Sequence, residues 1–175
     1  CVRRVRARVV PLVPAAPRQR IIVAEMAGLL IIAHAPLASA LREVASHAFP
    51  DCARTLSALD VPADMAPEEA QTRGAALLAA AGHNETLILT DVFGATPCNV
   101  AQRLADGPNV RVVAGVNVPM LWRALCYGHE PLDTLVERAM AGAVQGVIQA
   151  GANRPQQQAR GVTDLHAAGQ GHDQQ

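Results

Sequence analysis

Between residues 26 and 150 the chain alternates short apolar runs with longer stretches in which apolar residues return every three or four positions. AGLLIIA at 27–33 is apolar without a break, the pattern of a strand buried on both faces. Next, PLASALREVASHAF spaces Leu37, Leu41, Val44, Ala45 and Ala48 along one side of a helix, with Pro36 in its first turn. TLSALDV (55–61) predicts a second strand. PEEAQTRGAALLAAAG predicts a helix that opens near Pro67, carries Glu68 and Glu69 in its first turn and stops at Gly82. The cycle repeats with TLILTD (86–91) and TPCNVAQRLA, where Thr96 can cap and Pro97 begins the helix. VRVVAGV (110–116) and NVPMLWRALCY form a fourth pair, with Pro119 at the helix start. A closing helix is expected over 131–150, with Leu132, Leu135, Val136, Ala139 and Val147 turned inward.

Strand–helix alternation of this kind predicts an α/β fold, a three-layer sandwich whose four-stranded sheet is mostly parallel and covered by helices on both faces. Ligands and reacting groups in such sheets gather just past the carboxyl ends of the strands. Three polar residues fall there: His34 after the first strand, Asp91 after the third and Asn117 after the fourth.

Composition narrows the chemistry. All fifteen basic residues are Arg, so a P-loop lysine and Schiff-base catalysis are excluded. The formal charge is zero but segregated: residues 1–25 hold six Arg against one Glu, whereas 26–150 hold seven Arg against twelve acidic residues. An acidic body with two Phe, one Trp and one Tyr does not read as a nucleic-acid binder. Cys1, Cys52, Cys98 and Cys126 show neither metal-ligand spacing nor a disulfide pattern, as expected of reduced thiols in a cytoplasmic protein. The Arg-rich start is broken by prolines and too short in apolar residues for a secretory signal or a membrane span. Residues 1–25 read as a basic extension, disordered or upstream of a natural start at Met26. Residues 151–175, rich in Gly, Gln and Ala, read as a disordered tail.

A neutral imidazole is nucleophilic through the ring nitrogen that lacks a proton, and a carboxylate on the other nitrogen fixes the tautomer. His34 with Asp91 therefore points to transfer of a phosphoryl group. The amino termini of the helices that follow supply N–H donors for its oxygens: Ala35, Leu37 and Ala38 from one, Gly94, Ala95, Thr96 and Cys98 from the other. The Thr96 hydroxyl is a further donor, and Gly94 lets the backbone approach closely. The chemistry requires no metal and no cofactor. Each residue also has an ordinary structural role, Asp91 and Asn117 as turn residues and Gly94 and Pro97 as strand-to-helix punctuation. Two other readings stay open: a receiver-type phosphoaspartate domain on Asp91, which lacks the acidic pair and lysine it would need, and a non-catalytic α/β ligand-binding or interaction module.

GLLIIAHAPLASAL, LILTDVFGATPCNVAQRL and VVAGVNVPMLWRAL, in this order and spacing, resemble the blocks of the mannose-class enzyme IIA component of the bacterial sugar phosphotransferase system. The resemblance covers Met26 to about Ala150. It implies a four-stranded parallel sheet, with a further edge strand exchanged in a homodimer, and a cytoplasmic protein with no direct membrane insertion. It also implies that His34 accepts phosphate from the phosphocarrier HPr and passes it to a IIB component or a regulatory acceptor. Asp91 falls on the family's supporting carboxylate, Thr96 on the hydroxyl residue of its Gly–x–Ser/Thr–Pro turn, and Asn117 and Pro119 on its third block. Around the histidine the family carries a hydroxyl residue and Gly; Ala33 and Ala35 stand here instead.

Overall fold

The computed structural model describes residues 26–151; the proposed basic extension and all but the first residue of the proposed tail lie outside them. Strand β1 (Gly28–His34) leads into helix α1 (Leu37–Ala48), a short 3-10 turn (Cys52–Thr55) and β2 (Leu56–Val61). Then follow α2 (Pro67–Ala81), β3 (Thr86–Thr90), α3 (Thr96–Leu104), β4 (Val110–Ala114), α4 (Val118–Cys126) and α5 (Leu132–Gln145). All strand pairings are parallel and the order across the sheet is β2-β1-β3-β4.

The unbroken apolar run of β1 has a direct cause, since this strand has a neighbour on each edge and helices on each face. Leu29, Ile31 and Ala33 point into one core with Leu87, Leu89, Leu121 and Leu135; Leu30 and Ile32 point into the other with Ile88 and Val100. Helices α1, α4 and α5 cover the first face and α2 and α3 the second. Each buried Leu or Ile contributes roughly 1.5–3 kcal/mol, and a one-residue slip would exchange the two sets. The strand's register is therefore strongly specified.

Gly28 is required where it stands, because a Cβ there would lie 2.7 Å from the His83 ring. His83 thus closes the bottom of β1 by packing. Gly82 caps α2 in the left-handed region at φ 65°, as its position at the end of the apolar pattern predicts.

Two helices differ from their sequence patterns. The closing helix ends at Gln145 rather than 150, and Val147 is 78% exposed instead of inward. Gly146, the residue just past its end, has no Cβ and so packs directly on the Pro119 ring, which an added Cβ would strike. In α1 the buried stripe is Ala38, Leu41 and Ala45, with Leu37, Val44 and Ala48 exposed. The helix presents Leu41 between two alanines to the sheet, and the larger Leu37 and Val44 are left at its margins.

Candidate active site

Along this strand order, β1 connects outward to β2, and the chain then crosses back over β1 to lay down β3 on its other side. The crevice between β1 and β3 at their carboxyl ends is the switch point of the sheet, where open α/β folds bind ligands. His34 is the last residue of β1 and Asp91 the first after β3, so the topology brings together residues 57 positions apart.

The pair is tightly made. The His34 backbone N–H donates to Asp91 Oδ2 at 2.9 Å, and ring Nδ1 lies 2.7 Å from the same oxygen. Asp91 Oδ1 accepts the Val92 N–H at 2.8 Å. The carboxylate is only 9% exposed while the histidine side chain is 51% exposed. Burial by itself would push the Asp91 carboxyl up, but the backbone and ring hydrogen bonds from His34 and the Val92 N–H outweigh it and hold it below its ordinary value. An ionised carboxylate can only accept, so Nδ1 is the protonated nitrogen toward Asp91, and in the neutral ring the lone pair falls on Nε2. The result is a buried anion that orients an exposed nucleophilic ring.

Main-chain bonds from both neighbouring strands fix this geometry. Ala35 N–H continues the β1–β2 ladder to the Val61 carbonyl at 3.1 Å. On the other side, Gly115 N–H donates to the carbonyls of Thr90 and Asp91, both at 2.9 Å, in a turn that needs its φ of +91°. Asp91 cannot drift without breaking the end of β4.

The remaining expected residues divide into those at the rim and those elsewhere. Gly94 (φ 83°), Ala95 and Thr96 form the turn that carries the chain from Asp91 into α3. Ala95, not Thr96, occupies the capping position; its N–H donates to Val92 O at 3.3 Å and is engaged within the turn. Thr96 is the first helical residue, exposed, and its hydroxyl makes no hydrogen bond among the described residues. Leu37 starts α1 on the opposite side, 39% exposed. The Ala35 N–H, used in the sheet ladder, is not available to a ligand. Asn117 and Pro119 belong to a different place. Asn117 caps α4 by accepting Met120 N–H at 2.9 Å and donates to the Ala143 carbonyl of α5 at 3.3 Å, while Pro119 packs on Gly146. Neither hydrogen-bonds to His34 or Asp91.

Two residues at the rim were not singled out by the pattern. Asn99 donates to the Gly94 carbonyl at 3.2 Å and ties the loop to α3. An amide inside the first turns of a short helix, where it is a poor helix former, was the available signal. Asp60, near the end of β2, accepts the Ser39 N–H of α1 at 3.1 Å. A carboxylate within a short, mostly apolar strand was its only mark.

The site and fold together define an α/β domain with a histidine–aspartate pair at the switch point of a parallel sheet. A sequence model of the family described as the fructose IIA component of the phosphotransferase system matches residues 28–140. The chain belongs to this family, and it is a phosphotransferase component of the sugar phosphotransferase system. Among solved structures it is similar to a mannose/sorbose-specific IIA subunit from Enterococcus faecalis, at 27% identity and a TM-score of 0.65, covering 71% of this chain and 94% of that one. An EIIA component from Streptococcus agalactiae is similar at 22% identity and the same TM-score, over 71% and 97% of the two chains. A sigma-54 interaction domain protein from Enterococcus faecalis shares the fold at 13% identity and a TM-score of 0.61, over 70% and 94%. No curated protein sequence matches the chain. No helix among the described residues is long and apolar enough to cross a membrane.

Proposed function

We propose that this protein is a cytoplasmic phosphoryl carrier, taking phosphate from phospho-HPr onto His34 and giving it to a IIB-type or regulatory acceptor. The observation that carries this reading is the 2.7 Å contact between His34 Nδ1 and a buried Asp91 carboxylate, with the ring half exposed. Nε2 attacks phosphorus, the N–P bond of the donor phosphohistidine breaks, and its electron pair returns to the donor ring. The Nδ1 proton stays where it is. The ring becomes cationic as the new bond forms, and Asp91 stabilises that charge without moving. Transfer onward is the same step reversed.

Exposure supports transfer between proteins. Val92 and Phe93 are 57% and 77% exposed beside Asp91, with Leu37 across the crevice, so the histidine stands within an apolar rim of the kind a partner surface can cover. Homodimer formation is part of the same proposal. The outer edge of β4 carries no strand among the described residues, and Val147 and Ile148 are solvent-exposed just beyond α5. An unpaired edge and a short apolar run are the two halves of a strand exchange.

The test is phosphorylation with phosphoenolpyruvate, enzyme I and HPr, followed by mapping of the adduct. An acid-labile, alkali-stable phosphoryl group on His34, absent from His34→Ala, is the expected result. An alkali-labile adduct would move the acceptor to a carboxylate and support the receiver-type reading instead.

A further inference from the structure

Resting on the carrier reading above, we propose that Asp60 is a positioning residue that sets how tightly the rim holds a phosphoryl group. Helix α1 begins with Pro36 in the capping position, which has no side chain able to accept a hydrogen bond, and no residue of α1 caps its own amino terminus. The missing acceptor comes from the neighbouring strand. Asp60 Oδ1 takes the N–H of Ser39, the third residue of the helix, which is the amide a capping side chain ordinarily satisfies. The Ser39 hydroxyl turns back to the Pro36 carbonyl at 3.0 Å and closes the same turn. Asp60 therefore holds the segment that carries the Leu37 and Ala38 amides on one side of His34.

Its charge has a second effect. Asp60 pairs in register with Ala33, the residue before His34. Its carboxylate is hydrogen-bonded into the first turn of the helix that begins three residues after His34, so its charge acts on that helix end. An anion at a helix amino terminus already satisfies the partial positive charge that would otherwise attract phosphate. The two helices that face His34 are thereby unequal. At α3 the Ala95 capping position has no side-chain acceptor and the Thr96 hydroxyl is unengaged among the described residues; at α1 a carboxylate is already in place. The phosphoryl group is held from the α3 side and opposed from the α1 side. A carrier must release what it accepts, and a ground state held too firmly would slow onward transfer.

The experiment compares Asp60→Asn and Asp60→Ala with the unaltered chain. Asparagine keeps the oxygen that accepts from Ser39 and removes the charge; alanine removes both. The readouts are the equilibrium distribution of phosphate between phospho-HPr and this chain, its dependence on ionic strength, and hydrogen exchange at the Ser39 amide. For Asp60→Asn, Ser39 should stay protected and the equilibrium should shift toward the phosphorylated chain by about two- to five-fold at low salt, less at high salt. For Asp60→Ala, Ser39 should lose protection and the rate of transfer should fall. A normally labelled Asp60→Asn protein with an unshifted equilibrium overturns the proposal and leaves Asp60 a helix cap. Failure of the unaltered chain to label His34 overturns the carrier reading itself, a result distinct from the first.

Discussion

Two loops of this molecule are written almost alike and do different things. His34-Ala35-Pro36 and Asn117-Val118-Pro119 each follow a strand, each place a polar residue at its end, and each use a proline at the start of a helix. In the second, both ends of the amide are engaged by main chain: the oxygen by Met120 N–H and the nitrogen by the Ala143 carbonyl. In the first, one ring nitrogen is engaged by Asp91 and the other is left at an exposed surface. A polar group whose hydrogen-bonding capacity is used up by its own backbone is a fastener. One that is oriented on one side and open on the other can react.

The strongest way to break this comparison is to remove what orients the ring. Asp91→Ala should slow phosphoryl transfer to His34 by roughly 10²–10⁴-fold, the range ascribed to a positioned acid–base partner. Rapid-quench labelling from phospho-HPr reads the rate. A variant that folds and transfers at the unaltered rate would mean that the exposed histidine is sufficient without its carboxylate.

Next in size is the fastener. Asn117→Ala removes the cap of α4 and its tie to α5, and should cost about 0.5–2 kcal/mol in urea unfolding. Transfer per folded molecule should be unchanged, because neither Asn117 nor Pro119 hydrogen-bonds to the pair. A rate loss at unchanged stability would place Asn117 in the transfer machinery, against the distinction drawn here.

The contrast also explains what could be read without coordinates. The strand order of events, the two-sided burial of β1 and the meeting of His34 with Asp91 all followed from apolar periodicity and the switch-point rule, because those depend on local pattern and on topology. The sequence position of Asn117 at a strand end was equally visible, but not that its amide would be satisfied locally. That depends on where the Ala143 carbonyl of α5 arrives, a tertiary fact. The overlong closing helix fails for the same kind of reason. Val147 keeps the helical spacing, yet the helix ends at Gln145 and leaves it exposed, and the spacing gives no sign of it. In α1 the pattern named Leu37, Leu41, Val44, Ala45 and Ala48; the structure buries Leu41 and Ala45 of these with Ala38, and leaves the other three exposed. Asp60 was hidden most completely, since a helix capped from a neighbouring strand leaves no mark within its own sequence.

The smallest effect expected concerns acid stability, and it tests whether Asp91 is held as an anion before any phosphate arrives. Its carboxyl lies below its ordinary value of 3.8 in the folded protein, and that ordinary value is what the unfolded chain keeps. Between those two values the unfolded chain binds the extra proton, so stability rises with pH across that interval. The contribution is complete above the unfolded value and is lost as the pH falls through the folded one. Other carboxylates titrate in the same range, so the measurement is a difference: unfolding free energy of the unaltered chain minus that of Asp91→Asn, from pH 6 down to pH 2. Asparagine can still accept from the His34 backbone but cannot be ionised. The gap should be widest at the upper end and should narrow toward the lower. A gap that stays level with pH would mean that the carboxyl gains nothing from its charge, and that the His34 ring is steadied by shape alone.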